Sequence, residues 1–291
     1  PQVYAIQESN TVKREQLKYF GAGLSESEKA TALEQMNGLL DTFTDGKEYG
    51  AILTVESYDW ELLNRFAGNM ETLGQMNFDT YGISDTQKKI QELIDIGEIM
   101  AQKYWVASTN PPYMGSSGFS SKLAAYTKKN YPNSKADLFA IFIEKCCCLT
   151  RKLGLTSMIT QQAWMTLSSY EMLRKNILGK DILTLIQLGA HAFDEINGEI
   201  VQTASFIIRK TNFEKYISIF KQLISYKSEF DKEKAFFVKE NNYLVNKMQF
   251  ELLPGNPIAF WISEKMTESF VKGKPVAEYS DSFQGIITGD N

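Results

Sequence analysis

Residues 103–113 read KYWVASTNPPY and join a short strand-like run to a rigid polar loop. Asn110 offers a side-chain carbonyl as an acceptor and an amide as a donor. Pro111 and Pro112 fix the backbone and leave their own carbonyl oxygens free to accept. Tyr113 adds a flat aromatic face. The stretch therefore predicts a strand that ends in a loop organised before any substrate arrives.

This loop suits the methylation of an exocyclic amine. The amine of adenine is a poor nucleophile because its lone pair is delocalised into the ring, so an enzyme must offer acceptors to both N–H groups as the nitrogen attacks. The side-chain oxygen of Asn110 and the backbone carbonyl of Pro111 can be those acceptors. Tyr113 can stack on the base after the nucleotide has left the duplex. The loop is therefore a candidate catalytic loop.

The bulk composition narrows the class of protein. The chain has 291 residues, of which 43% are hydrophobic and 23% are charged, as in ordinary globular domains. Its net charge of −4 argues against binding polyanions over the whole surface, although a local cleft can still be basic. No run approaches the length of a membrane span, and we expect a cytoplasmic protein.

Two rare residue types give little support to other chemistries. The three cysteines are neighbours at 146–148, and on a helix they point in different directions, so we expect buried small residues and no metal. His191 is the single histidine, and the sequence contains no G-x-S-x-G motif that would position a nucleophilic serine. The sequence therefore gives no support for Ser-His-Asp chemistry.

The chain before the loop reads as mostly helical. Residues 3–8 predict a short buried strand, and Glu8 would then stand at its carboxyl end, where open α/β sheets bind ligands. Residues 11–101 show apolar stripes at helical spacing, with an N-cap signal and first-turn acids at 25–28. The glycines in Phe20-Gly21-Ala22-Gly23 follow a polar helical run, so they fit a helix C-cap better than a cofactor turn.

The chain after the loop is locally basic and then alternates strands with helices. From residue 99 to 136 there is no acidic residue, and lysines alternate with tyrosines, a pattern that fits phosphates and bases. A solvated lysine face is the alternative. The second half has the order of a parallel α/β sheet in which the strands at 182–188 and 201–209 close one edge as an antiparallel pair. Strands are predicted at 154–160, 182–188, 201–209 and 215–220, and helices at 137–149, 168–178, 228–239 and 264–271.

These features resemble a known group. The sequence TNPPY at 109–113 looks like motif IV of the N6-adenine DNA methyltransferases, which use S-adenosylmethionine. The likeness is to the PglX group, the large adenine methyltransferases of bacterial phage-exclusion (BREX) systems, related to fused restriction–modification enzymes. It continues through SKADLF at 134–139, MITQ at 158–161, GEIVQT at 198–203 and PGNPIAFW at 254–261. It covers nearly the whole chain, most specifically residues 103–210.

The resemblance implies an α/β fold, an incomplete Rossmann-like sheet of an S-adenosylmethionine-dependent methyltransferase with a mostly helical insertion. The implied organisation is a sheet strand at 1–10, the insertion at 11–101, the catalytic half at 102–210 and a connecting region at 211–291. That last region would lead toward a target-recognition domain outside this chain. The implied function is site-specific DNA adenine methylation for host DNA modification and phage defence.

The resemblance also assigns roles. It implies Asn110, Pro111, Pro112 and Tyr113 as catalytic residues, and Glu8 with Asn110 on the cofactor side. S-adenosylmethionine is the implied cofactor, without a metal. DNA is the implied partner of the parent protein, with other phage-defence subunits as further candidates and no membrane. The candidate DNA-binding residues are Lys122, Lys128, Lys129 and Phe193; a core role is the alternative for Phe193, which otherwise stacks on the flipped base.

One departure from the group matters. Its glycine-containing cofactor turn, usually Asp-Pro-Ala-Cys-Gly-Ser-Gly, and the acidic residue after the next strand are missing from this sequence. We therefore expect a fragment of a larger protein that is inactive by itself. Two alternatives stay open: a protein-glutamine or RNA methyltransferase, which shares the loop, and a non-catalytic scaffold that keeps the sheet.

Overall fold

The computed structural model describes residues 2–70, 82–192 and 201–281. The chain divides into two compact units, Pro1–Thr156 and Ser157–Asn291. Among the described residues, no helix has the length and apolar character that a membrane crossing needs.

Unit 1 is mainly helical and contains the loop that follows β1. Its helices between residues 11 and 101 agree with the sequence prediction for that region. The elements are α1 (Glu26–Thr42), α2 (Gly46–Tyr49), α3 (Trp60–Gly68), α4 (Ile83–Ala101), β1 (Tyr104–Thr109), α5 (Ser121–Asn130), α6 (Leu138–Leu149) and the start of β2 (Thr150–Gln161).

A shared apolar core holds α1, α3 and α4 together, as the stripes predict. Gly97 of α4 permits their close approach, since a Cβ there would lie 2.9 Å from Cδ1 of Leu39. Ser25 and Glu28 form a capping box at the start of α1, in which each side chain accepts from the backbone N–H of the other. The fully buried core side chains include Met36, Leu39, Leu40, Leu63, Phe66, Ile90 and Ile94.

The strand predicted at residues 3–8 is wrong. Residues 2–9 form neither helix nor strand, and Val3 is 89% exposed. The segment is held by the end of α1 instead, because the Ser9 N–H donates to the carbonyl of Phe43 at 3.0 Å and the Ser9 hydroxyl to that of Leu40 at 2.5 Å. Glu8 therefore does not stand at the end of a strand.

The glycines at 21 and 23 form a structural turn. It follows a short 3₁₀ helix, Arg14–Tyr19, and the Gly21 N–H donates to carbonyls of Phe66 and Asn69. Gly21 has φ +83°, and a Cβ there would lie 2.9 Å from Cδ2 of Phe66. This packing agrees with the helix-ending role predicted for the turn.

Unit 2 contains a mixed sheet, as its strand and helix pattern predicts. Strand β3 pairs antiparallel with β4, as predicted, and parallel with β5, which pairs antiparallel with β6. The prediction that the β3–β4 pair closes one edge is wrong, because β3 also pairs with β5 and β4 lies beside β2. The end of β2 lies beside β4; in unit 1 the beginning of β2 lies beside β1. The elements are α7 (Glu171–Leu178), β3 (Asp181–Gly189), β4 (Thr203–Arg209), β5 (Ile217–Gln222), α8 (Glu229–Phe236), β6 (Asn242–Asn246), α9 (Met248–Glu251) and α10 (Glu264–Lys272).

A buried lysine of α6 fixes the chain between α2 and α3. The ammonium of Lys145 donates to the carbonyl of Leu53, and the Tyr131 hydroxyl donates to the neighbouring carbonyl of Ile52. Lys145 is 5% exposed, and burial lowers its pKa to about 8. The folded chain thus disfavours the charged form of this lysine.

Replacing Ser25 by alanine should lower the free energy of unfolding of unit 1 by about 1 kcal/mol, because the N–H of Glu28 loses its acceptor. Denaturant unfolding of the 291-residue chain measures this. Ser27→Ala, the same change two residues further on at an exposed position, is the control and should stay within about 0.5 kcal/mol of the original chain. Equal losses in the two variants would contradict the capping box.

Lys145 should also make stability depend on pH. Its pKa is about 8 in the fold against an ordinary value of 10.5, so between these pH values the unfolded chain binds a proton that the folded chain lacks. The contribution of Lys145 to the free energy of unfolding should therefore rise from pH 8 toward pH 10. Lys145→Met should flatten this rise, whereas Lys88→Met, at an exposed position, should leave it in place. A rise of the same slope in Lys145→Met would refute the assignment.

Candidate active site

The predicted loop begins where β1 ends. Asn110 follows Thr109, the last residue of the strand, and its side chain is exposed. Pro111 is buried, Pro112 is exposed and Tyr113 is half-buried. None of the hydrogen bonds described for the chain occupies the side chain of Asn110 or the carbonyl of Pro111. The two acceptors predicted for an amine are thus adjacent and are not used by the fold.

Tyr113 rests against the start of α6. Its ring meets the ring of Phe139 edge-on, with centroids 6.2 Å apart and an interplanar angle of 87°. Phe139 is fully buried, so it gives Tyr113 a fixed support. Burial raises the pKa of the Tyr113 hydroxyl.

The backbone after Tyr113 is tied to the residues that begin α6. The Met114 N–H donates to Oδ1 of Asp137 at 3.2 Å, and the carbonyl of Met114 accepts from the Leu138 N–H at 3.0 Å. The Ser116 N–H donates to the carbonyl of Ala136 at 2.9 Å. Asp137 also caps α6 by accepting from the Phe139 N–H at 3.1 Å, as its position before an apolar helix predicts.

The far end of the loop is tied to the corner between α1 and α2. The Ser120 hydroxyl caps α5 by accepting from the Leu123 N–H at 3.1 Å, and it donates to the carboxylate of Glu48. The Lys122 ammonium lies 2.8 Å from Oδ2 of Asp45. That hydrogen bond raises the pKa of Lys122 and lowers the pKa of Asp45.

The basic span is therefore less basic in the fold than in the sequence. It contains no acid of its own, but the fold places Asp45 and Glu48 against its middle. Lys122 is exposed yet paired, whereas Lys128 and Lys129 are exposed in the last turn of α5. The sequence did not predict these contacts, because the acids lie more than 70 residues before their partners and no local pattern indicates such a pairing.

The remaining candidates are not gathered at the loop. Glu8 is half-buried, and the neighbouring Asn10 donates to Oδ1 of Asp45 at 2.9 Å, so this segment is held at the α1–α2 corner. No contact described in the structure joins Glu8 to Asn110. Phe193 lies outside the described residues.

The site predicted from the sequence has two halves, one for the acceptor base and one for the cofactor. The loop offers acceptors and an aromatic face to an amine-bearing base. A cradle for S-adenosylmethionine is a different matter: in the sequence that looks like a cofactor turn, the N–H of Gly21 already donates to the carbonyls of Phe66 and Asn69. The residues described here therefore fit the acceptor base and do not form a recognisable adenosyl site.

Comparison with known proteins gives relatives that match most of this chain. It is 35% identical over 265 residues to the "Adenine-specific methyltransferase PglX" of Lacticaseibacillus casei (strain Zhang), covering 88% of this chain and 22% of that protein. It is 35% identical over 241 residues to the "Adenine-specific methyltransferase BrxX" of Escherichia coli O9:H4 (strain HS), covering 80% and 19%. The chain thus spans about a fifth of the length of these curated relatives.

Solved structures show weaker likeness. A DrdV–DNA complex matches with a TM-score of 0.44 and 13% identity, over 70% of this chain and 23% of that one. A type I restriction–modification structure matches with a TM-score of 0.44 and 10% identity, over 93% and 63%. Because these TM-scores are low, the assignment to a family rests on sequence.

A sequence profile described as "Eco57I restriction-modification methylase" matches residues 22–193, which is more than half of the chain and includes the loop after β1. The chain belongs to the Eco57I restriction-modification methylase family.

Proposed function

We propose that the protein containing this chain transfers a methyl group from S-adenosylmethionine to N6 of adenine in DNA, in host DNA modification and phage defence. The observation that carries the proposal is the loop itself: the side chain of Asn110 is exposed at the end of β1, and none of the described hydrogen bonds uses it or the carbonyl of Pro111. The names of the two relatives support adenine as the acceptor base.

In this mechanism the loop holds the amine while it attacks. The side-chain oxygen of Asn110 accepts one N–H of adenine and the carbonyl of Pro111 accepts the other, so that electron density on the nitrogen turns toward the methyl donor. Tyr113 stacks on the flipped base and is itself braced by Phe139. S-adenosylmethionine supplies the electrophilic methyl group when it is bound. Holding the amine in one position accounts for much of the rate gain.

On the cofactor side, Asn110 remains the proposed contact. Glu8 has lost the basis of its prediction, because no strand ends there. On the DNA side, Lys128 and Lys129 are the proposed phosphate contacts of this unit. Lys122 contributes less, because leaving Asp45 for a phosphate exchanges one anion for another.

Asn110→Ala in the intact protein should lower methyl transfer to DNA at least about 100-fold, because one N–H of the amine loses its acceptor. The free energy of unfolding should change by no more than about 0.5 kcal/mol, since the side chain is exposed. Transfer of tritiated methyl groups to DNA measures the rate. Asn110→Asp keeps an acceptor oxygen and should retain more activity than alanine.

Full activity of Asn110→Ala would remove Asn110 from the mechanism. The same assay with RNA and with release-factor protein tests the substrate class. If the unaltered protein labels either of these and not DNA, the acceptor proposed here is wrong.

The double variant Lys128→Ala and Lys129→Ala should weaken DNA binding without changing sequence preference. The slope of log K against log salt should fall by about 2, because each phosphate that a lysine neutralises adds about 0.9 to that slope. Fluorescence anisotropy with a labelled duplex at several salt concentrations measures it. Lys13→Ala with Lys18→Ala, at two exposed lysines of the same unit, is the control. An unchanged slope in the first double variant would exclude these lysines from the interface.

A further inference from the structure

The carboxylate of Asp137 does more than cap a helix. Its Oδ1 accepts from two backbone N–H groups, that of Phe139 at 3.1 Å inside α6 and that of Met114 at 3.2 Å in the loop. The first bond is what an N-cap residue normally makes. The second reaches 23 residues back along the chain, to the residue that follows Tyr113.

The surrounding backbone makes the same connection. Gly115 and Asp137 form an isolated antiparallel bridge, flanked by the bond from Leu138 to Met114 and the bond from Ser116 to Ala136. The loop residues after Tyr113 therefore pair with the residues just before α6 through a single antiparallel bridge. Beside this bridge, the Asp137 carboxylate accepts from the Met114 N–H, a donor that neither of these two backbone bonds uses.

Asp137 is also bonded to Phe139, the residue whose ring supports the ring of Tyr113. Phe139, whose N–H Asp137 accepts, places its side chain edge-on against Tyr113. One oxygen atom thus fixes both the backbone behind Tyr113 and the first turn of the helix that carries its supporting ring. A shift of Asp137 would move the two together.

We propose that Asp137 is a positioning residue for methyl transfer, whose carboxylate holds Met114 so that Tyr113 and the Asn110–Pro111 acceptors keep one fixed arrangement toward the base. This role rests on the function proposed above. Asp137 touches neither substrate nor cofactor in this mechanism and acts through the loop.

The burial of Asp137 agrees with this role. The residue is 8% exposed, and burial raises the pKa of its carboxyl, while the N–H groups of Phe139, Met114 and Leu138 act in the opposite direction. A buried carboxylate without a cationic partner is costly unless its oxygens accept hydrogen bonds. The N–H groups that offset the burial of this carboxylate belong to the loop and to the start of α6, the two segments that Asp137 joins.

Asp59 offers a matched control. It is the N-cap of α3 in the same unit, and its carboxylate accepts from the Leu62 N–H at 2.9 Å. Asp59→Ala therefore removes an aspartate cap without touching the loop. Asp137→Asn keeps a side-chain oxygen in place and is the conservative variant.

The test measures exchange and kinetics together. In the 291-residue chain, Asp137→Ala should speed amide hydrogen exchange at Met114 and Ser116 at least tenfold relative to Leu123 of α5, whereas Asp59→Ala should not. In the intact protein, Asp137→Ala should lower kcat for DNA methylation by about tenfold to a hundredfold, with a smaller change in the KM for S-adenosylmethionine. Asp137→Asn should restore most of both values.

The proposal is overturned if Asp137→Ala and Asp59→Ala lower kcat equally, which would make Asp137 an ordinary cap. It is also overturned if the exchange of Met114 does not change in Asp137→Ala. Failure of the unaltered intact protein to methylate DNA would instead contradict the proposed function. The exchange experiment distinguishes these cases, because it reports on the loop without any activity.

Discussion

The bridge between the loop and the start of α6 is the constraint on which the candidate site depends. Two prolines stiffen the loop internally, but stiffness alone does not fix where the loop lies. Its position is set by hydrogen bonds from Met114 and Ser116 to the residues just before α6, and by the contact of Tyr113 with Phe139. Because α6 is apolar and is buried along much of its length, the loop is attached to a rigid element.

A second set of contacts surrounds this bridge and is mostly polar. Ser120 and Lys122 join the start of α5 to Glu48 and Asp45, while Lys145 holds the backbone of Leu53 from the side of α6. The residues before β1 are therefore connected directly to both helices that follow the loop. This connection gives the helical part of unit 1 a role in placing the loop, although none of its residues belongs to the proposed chemistry.

Local chemistry predicts much of this site, and long-range pairing accounts for what it misses. The strand β1, the loop, α6 and the Asp137 cap follow from short patterns such as Asn-Pro-Pro-Tyr and an aspartate before an apolar run. The pairing of Lys122 with Asp45 and the bond from Met114 to Asp137 depend on how distant segments meet. Residues 3–8 have strand-like composition, but the Ser9 that follows them is bonded to the end of α1. Strand β6 was missed because its sequence, Asn-Tyr-Leu-Val-Asn, is short and buries only Val245 among its five residues.

The proposed activity of the protein containing this chain is the methylation of adenine at N6. Its most direct test is mass spectrometry of nucleosides from the DNA of a host that expresses the intact protein, compared with the same host without the gene. We predict N6-methyladenine that appears only with the gene and disappears when Asn110 is replaced by alanine. DNA without gene-dependent N6-methyladenine, or with a methylated cytosine in its place, would contradict adenine N6 as the site of methyl transfer.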